Sequence, residues 1–284
     1  MTERPNEPEP WTLERVERDL PDLAPLARLH RAIEDAIRAF EKDAPFHPDL
    51  PGTPGVHWLQ GTSLLDAVRQ DPLVARLPGL FAAIADAVGA ATPAARGAVD
   101  QIAAATSGAP FDWAFVLAHF RDPQWVPATP HPHLTRFLVL RTISVPARHL
   151  ARSWSAPHPD RWKRSRCPFC GVGAAASVAR TGSGRTLLCV LCGGRGETAD
   201  TICTGCGETN LERFRVFANR EAGPASIESC VTCGTSIKVF SSGDATWGPP
   251  LALEVATVRL DLLAERDERA FRDTIALASL FPPE

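Results

Sequence analysis

Four cysteine pairs, "CPFC" from Cys167, "CVLC" from Cys189, "CTGC" from Cys203 and "CVTC" from Cys230, hold all 8 cysteines of the chain, and glycine follows each pair at once. Two cysteines separated by two residues turn both sulfurs toward one point, and two such turns supply the four ligands of a tetrahedral metal site. The glycine has a steric purpose: it takes positive φ without cost, which lets backbone N–H groups of the turn face the sulfurs. Gaps of 18, 10 and 23 residues separate consecutive pairs. The first and third gaps suit a hairpin that returns to its own metal, and the middle gap suits a linker. Cys167, Cys170, Cys189 and Cys192 are therefore assigned to one metal, and Cys203, Cys206, Cys230 and Cys233 to a second. Spacing alone leaves the interleaved pairing, first with third and second with fourth, open. No histidine lies beyond His158, so both sites are all-sulfur, a donor set that suits zinc or iron. Four cysteines leave no open coordination position, which argues against metal-activated water and hydrolysis; folding is the ordinary role of such sites.

At 284 residues and 44% hydrophobic content the chain is able to bury a core, and a net charge of -3 argues against a surface that coats nucleic acid throughout. The N-terminus "MTERPNEPEP" is polar and acidic and lacks the apolar stretch of a secretory signal, so residues 1–20 read as a disordered polar tail. The most apolar segment, from Leu134, is interrupted by Arg136, Arg141 and Arg148. No membrane span is expected, and a cytoplasmic location follows. Thiols stay reduced there, so eight paired cysteines point to metal rather than disulfides.

From Leu23 to about Lys42 apolar residues recur at intervals of three and four, the period of a helix face. "DAPFHPDLPGTPG" reads as a loop. The stretch "TSLLDAVRQ" reads as a helix with Thr62 or Ser63 as N-cap and Asp66 completing the cap; "GLFAAIADAVGAA", "ARGAVDQIAAATSG", "FDWAFVLAHFRD" and "LTRFLVLRTISVPARHLARSW" read as further helices. Residues 21–155 thus form an expected all-α domain whose apolar stripes are core. Two small β metal units follow, over 156–200 and 201–245, with hairpins in "SVART", "RTLLC", "RFRVF" and "SIKVF". Residues 246–284 carry a last helix, with Leu251, Val255, Val258 and Leu262 on one face, expected to pack back on the body.

The stretches "CPFCGVGAAASVAR", "GRTLLCVLCGGRGE", "CTGCGET", "IESCVTCGTSIKVF" and "LALEVATVRLDLLAE" resemble the formate dehydrogenase accessory protein family, FdhE, from about Arg166 to Ala264. The resemblance implies a helical region followed by two rubredoxin-like units, the eight cysteines as ligands and iron as the metal. It also implies a cytoplasmic, non-enzymatic maturation factor that binds the catalytic subunit of formate dehydrogenase and is needed for its activity. The chain departs from the family where two aspartates often open the last helix: it has Leu253 and Glu254.

Two other functions compete. A redox protein would pass electrons to or from the client through iron. A zinc-ribbon that binds nucleic acid would use "RWKRSR" at 161–166, but residues 160–244 hold only 11 Lys and Arg against 8 Asp and Glu, short of the basic stripe that phosphate binding needs. His131, His133 and His158 sit among prolines and read as exposed loop. Nothing in the sequence fixes the oligomeric state, so a homo-oligomer stays open.

Overall fold

The computed structural model describes residues 10–43, 45–108, 111–122, 124–157, 162, 164–174, 176–179, 185–198, 201–218, 225–240 and 248–266. Structure begins earlier than the polar tail expected over residues 1–20. Thr12 caps helix α1 (Leu13–Asp19), its hydroxyl oxygen accepting from the Arg15 N–H at 3.1 Å, and Val16 is fully buried. Composition hid this helix because its charges pair along one face, Arg15 with Asp19 at 3.2 Å, while a single valine seals the other. Residues 1–9 lie outside the described residues.

Helix α2 (Ala24–Asp43) buries Ala27, His30, Ile33 and Ile37 on one face. The loop expected over 43–55 runs on into a short helix, α3 (Pro54–Leu59), that proline opens from its first position. Then come α4 (Leu64–Ala67), α5 (Gln70–Val74), α6 (Leu77–Ala91), α7 (Arg96–Gly108), α8 (Trp113–His119), capped by Asp112, and α9 (Pro132–Ser153). The stretch Gln70–Ala91 is long and apolar enough to cross a membrane by length and composition, a property the sequence reading did not see. Arg76 divides it into α5 and α6, and α6 turns its apolar face into the core against α2, α7 and α9. Leu77, Leu80, Phe81, Ile84 and Val88 of α6 are buried there, together roughly 10 kcal/mol of apolar transfer.

Beyond residue 174 the strands β1 (Ala176–Ala179), β2 (Arg185–Leu188), β3 (Arg195–Thr198), β4 (Phe214–Ala218), β5 (Ala225–Cys230) and β6 (Ser236–Phe240) form one six-stranded sheet in the order β3-β2-β1-β6-β5-β4. Two separate hairpin units were expected. They are instead joined edge to edge where β1 runs parallel to β6, Ala176 opposite Lys238 and Val178 opposite Phe240. The join removes an exposed edge from each hairpin. Arg185 of β2 reinforces it by donating twice to the Glu228 carboxylate of β5, at 2.6 and 2.8 Å.

The C-terminal segment packs on one face of this sheet, with Leu253 and Leu260 against Ala225, Ile227 and Phe240. It is two helices, α10 (Pro250–Ala256) and α11 (Val258–Arg266), where one was expected. The break falls at buried Thr257, whose hydroxyl donates to the Leu253 carbonyl at 2.7 Å and whose backbone leaves helical geometry. Residues 267–284 of the expected last segment lie outside the described residues.

Candidate metal centres

Each cysteine pair folds into the same knuckle. The N–H of the first cysteine donates to the carbonyl five residues on, Val172, Gly194, Glu208 and Thr235 in turn, at 2.8 to 3.0 Å. The glycine four residues on donates back to the first cysteine's carbonyl, at 2.8 to 3.0 Å. Those glycines, Gly171, Gly193, Gly207 and Gly234, have φ of 76°, 70°, 80° and 77°. A side chain there would strain the turn, which is the physical content of the repeated trailing glycine.

The knuckles meet in the sequential pairing. Cys167, Cys170, Cys189 and Cys192 form one group and Cys203, Cys206, Cys230 and Cys233 another, every sulfur within 4.8 Å of the others in its group. The nearest pairs are 3.4 Å (Cys170 to Cys189), 3.5 Å (Cys167 to Cys192), 3.5 Å (Cys203 to Cys233) and 3.8 Å (Cys206 to Cys230). A disulfide needs sulfurs about 2 Å apart, whereas metal–sulfur bonds of about 2.3 Å in a tetrahedron place them about 3.8 Å apart. All eight are free thiols at the spacing of a metal cage.

Electrostatics agree. Burial pushes the Cys170 thiol well up, while Cys189, hydrogen-bonded by Cys167, Cys170 and Cys192, is held well below the ordinary value. In the second group burial raises Cys203; burial opposes ionisation of Cys233 too, but the Thr235 hydroxyl and N–H bring it down to about 7. Four sulfurs this close carry full charge together only if a cation balances them, so the donor set fits a metal ion. Backbone N–H groups add to this, Gly194 toward Cys192 Sγ at 3.3 Å and Gly205 toward Cys203 Sγ at 3.4 Å.

The groups differ in setting. The first is wholly buried, and its cysteines belong to the main core beside Phe169 and Trp58. Helical-part donors hold its first knuckle: Leu64 N–H on the Pro168 carbonyl (3.1 Å), Leu65 N–H on Phe169 (2.8 Å), the Trp58 indole on Pro168 (3.2 Å) and Arg121 on Cys170 (2.8 Å). Here the expected cap of α4 gives way. Ser63 is the N-cap residue, but its hydroxyl donates to Asp66 at 2.6 Å, leaving the first N–H groups of the helix to the knuckle. In the second group Cys206 is exposed and Cys233 half-buried.

Sequence reasoning singled out the eight cysteines that the structure gathers into two groups, but missed Trp58, Leu64, Leu65 and Arg121, whose partners lie some 50 to 110 positions away and leave no local signal. His131 occupies the N-cap position of α9 without a side-chain cap and lies 3.1 Å from the Gln101 side chain; His133 is exposed, but in the first turn of α9 rather than in the expected loop. Within "RWKRSR", Trp162 donates to the Arg166 carbonyl at 2.6 Å and Arg164 lies against Gly61; Arg161, Lys163 and His158 lie outside the described residues.

No family model matches the chain. Curated relatives do. An FdhE homolog from Haemophilus ducreyi is 30% identical over 112 residues, 38% of this chain and 36% of its own length. One from Edwardsiella ictaluri is 28% identical over 125 residues (43% and 40%), and one from Aquifex aeolicus 26% identical over 110 residues (37% and 39%). The chain thus spans little more than a third of the length of the curated relatives it matches. The crystal structure of the FdhE protein from Pseudomonas aeruginosa covers 96% of this chain and 98% of its own, with a TM-score of 0.59 at 21% identity. The family these matches support is FdhE. The FdhE fold so shared joins a helical part, a small sheet and two four-cysteine groups in one chain.

Proposed function

We propose that this chain is an accessory factor for formate dehydrogenase that binds the enzyme's catalytic subunit in the cytoplasm and is not itself an enzyme. In this reading Cys167, Cys170, Cys189 and Cys192 ligate one metal ion and Cys203, Cys206, Cys230 and Cys233 a second, in rubredoxin-like cages. The observation that carries it is the pair of four-sulfur groups set in an FdhE fold. Zinc in such a cage supplies a structural cross-link, and iron would add one-electron redox chemistry. The chain's own residues do the rest: knuckle amides orient the sulfurs, and the helical part seals the first group from water.

Deleting the gene should lower formate dehydrogenase activity while the enzyme's polypeptide persists, and the wild-type chain, but not the Cys167→Ser, Cys170→Ser double variant, should restore it. Undiminished activity in the deletion strain refutes the reading. Electron transfer to the client is a second reading, favoured by the exposure of Cys206, since electron exchange needs a centre near the surface. Anaerobic purification decides it: a red protein with reversible reduction supports it, and a colourless protein with two zinc ions per chain rules it out.

A further inference from the structure

A cleft of about 600 Å³ lies between the helical part, the first cysteine unit and the start of α10. Arg31 and Arg38 of α2, Arg141, Arg148 and Arg152 of α9, and Arg195 of β3 line it, against Glu14, Glu34 and Asp35. The surplus of positive charge is concentrated on one side. Arg31 is neutralised by Glu17 at 2.7 Å and Arg38 pairs with Asp35. Glu34, in contrast, serves two guanidiniums at once, pairing with Arg141 and with Arg148 at 2.6 Å. Arg152 is exposed, and Arg195, exposed too, donates to the Gly248 carbonyl at 3.3 Å.

Two of the lining guanidiniums also carry unused donors. Arg141 Nε and Arg148 Nη2 are buried and have no hydrogen-bond partner among the described residues, and Arg141 is only 7% exposed. A buried donor left without an acceptor costs about 1–3 kcal/mol, more when charged, so two on neighbouring guanidiniums in one cleft call for an acceptor to be supplied. Burial, with Arg148 close by, lowers the pKa of Arg141 to about 10, which leaves it cationic at neutral pH. Leu13, Ala151, Leu191 and Leu251 give the cleft an apolar wall, and Cys192 of the first sulfur group reaches its edge.

We propose that this cleft binds a small organic anion, a phosphate or carboxylate group on an apolar body, with Arg141 and Arg148 at its floor and Arg152 and Arg195 at its rim. Bidentate guanidinium pairing recognises both head groups, and the volume exceeds what a bare oxyanion fills. The ligand would touch the helical part, the Cys192 knuckle and α10 together, and so tie the first sulfur group to the rest of the molecule. The inference does not depend on which metal the cysteines hold or which client is served.

Calorimetric titration of the full, metal-loaded chain with phenyl phosphate, phenylacetate and inorganic phosphate, at matched ionic strength in chloride, tests it. Saturable binding of phenyl phosphate or phenylacetate is expected, at least about threefold tighter than inorganic phosphate because the ring adds apolar burial. Binding of one ring compound alone supports the site and names its head group. Arg148→Gln should weaken binding about tenfold and Arg152→Gln about threefold or more, while Arg96→Gln, which like its partner Asp100 lies outside the cleft, should leave it unchanged. If Arg148→Gln does not fold, the exposed pair Arg152→Gln, Arg195→Gln carries the test. Absence of saturable binding by either ring compound overturns the proposal, as does wild-type affinity in the Arg152→Gln, Arg195→Gln double variant.

Discussion

His30 lies in the core of α2, fully buried, with neither ring nitrogen hydrogen-bonded among the described residues and its ring edge-on to Phe137 at 6.0 Å. Burial, helped by the charge of Arg141, lowers its pKa from 6.5 to about 3. Between those values the unfolded chain takes up a proton that the folded chain refuses. Stability from the neutral ring is therefore intact above pH 6.5 and is lost progressively as pH falls toward 3. His30→Leu keeps an apolar group in the site and removes the proton linkage. Relative to the wild-type chain, the variant should gain about 2 kcal/mol in stability on going from pH 8 to pH 5, read from urea unfolding at the two values. An equal stability difference at both pH values would mean that His30 is protonated inside the fold. The apolar neighbours of His30 were visible in the heptad-like spacing of α2, but a histidine on an apolar face carries no sequence mark that separates a neutral core ring from a ligand.

At the scale of elements, the sheet and the C-terminal helices are locked by a buried charge cluster. Lys238 of β6 reaches Glu254 of α10 at 3.0 Å and Asp261 of α11 at 2.6 Å, all three side chains 3% exposed. Burial opposes the Lys238 charge, but the two carboxylates prevail and raise its pKa. Glu254 stands where the family resemblance led one to expect aspartate, and it keeps an acid in reach of the lysine. Removing the lysine alone strands two carboxylates in the interior, so Lys238→Met should cost about 3–5 kcal/mol. Replacing all three, Lys238→Met with Glu254→Leu and Asp261→Leu, should recover most of that loss, because an apolar trio avoids the desolvation penalty. Denaturant unfolding of the two variants provides the comparison, and a triple variant as unstable as the single one would show that packing, not charge, carries the contact. Much of the helical part was legible because its stripes are long and periodic. Strands β3 and β5 were missed: β3 is a short run, "RGET", with no apolar alternation, and β5 is recognisable only once β6 pairs with it. The parallel join of β1 to β6 brings residues 60 positions apart together, and no local pattern encodes it.

For the whole molecule, what matters is that the two sulfur groups are placed unequally. The first is walled by Trp58, Phe169 and the donors of α4 and Arg121, so its knuckle closes the core of the helical part as much as it closes the four-sulfur group. The second sits near the rim of the sheet with Cys206 open to solvent, and Leu211, Val216 and Val231 of the same unit are exposed. The cysteines were legible because ligand type and spacing are local; this inequality was not, since it arises from contacts more than 100 residues apart. A four-cysteine metal site contributes on the order of 10 kcal/mol to folding, comparable with the net stability of a domain. Loss of the first metal should therefore loosen the helical part, and loss of the second should spare it. Under a chelator such as EDTA, with thiols kept reduced, one metal equivalent is expected to leave at least about tenfold faster than the other, from the exposed group. Cys206→Ser should abolish the fast phase alone and leave amide-exchange protection in α6 and α9 unchanged, whereas Cys170→Ser should lower that protection by several kcal/mol. Release of both metals at one rate, or unaltered protection of α6 in Cys170→Ser, would show that the first group is an appendage to the helical core rather than part of it.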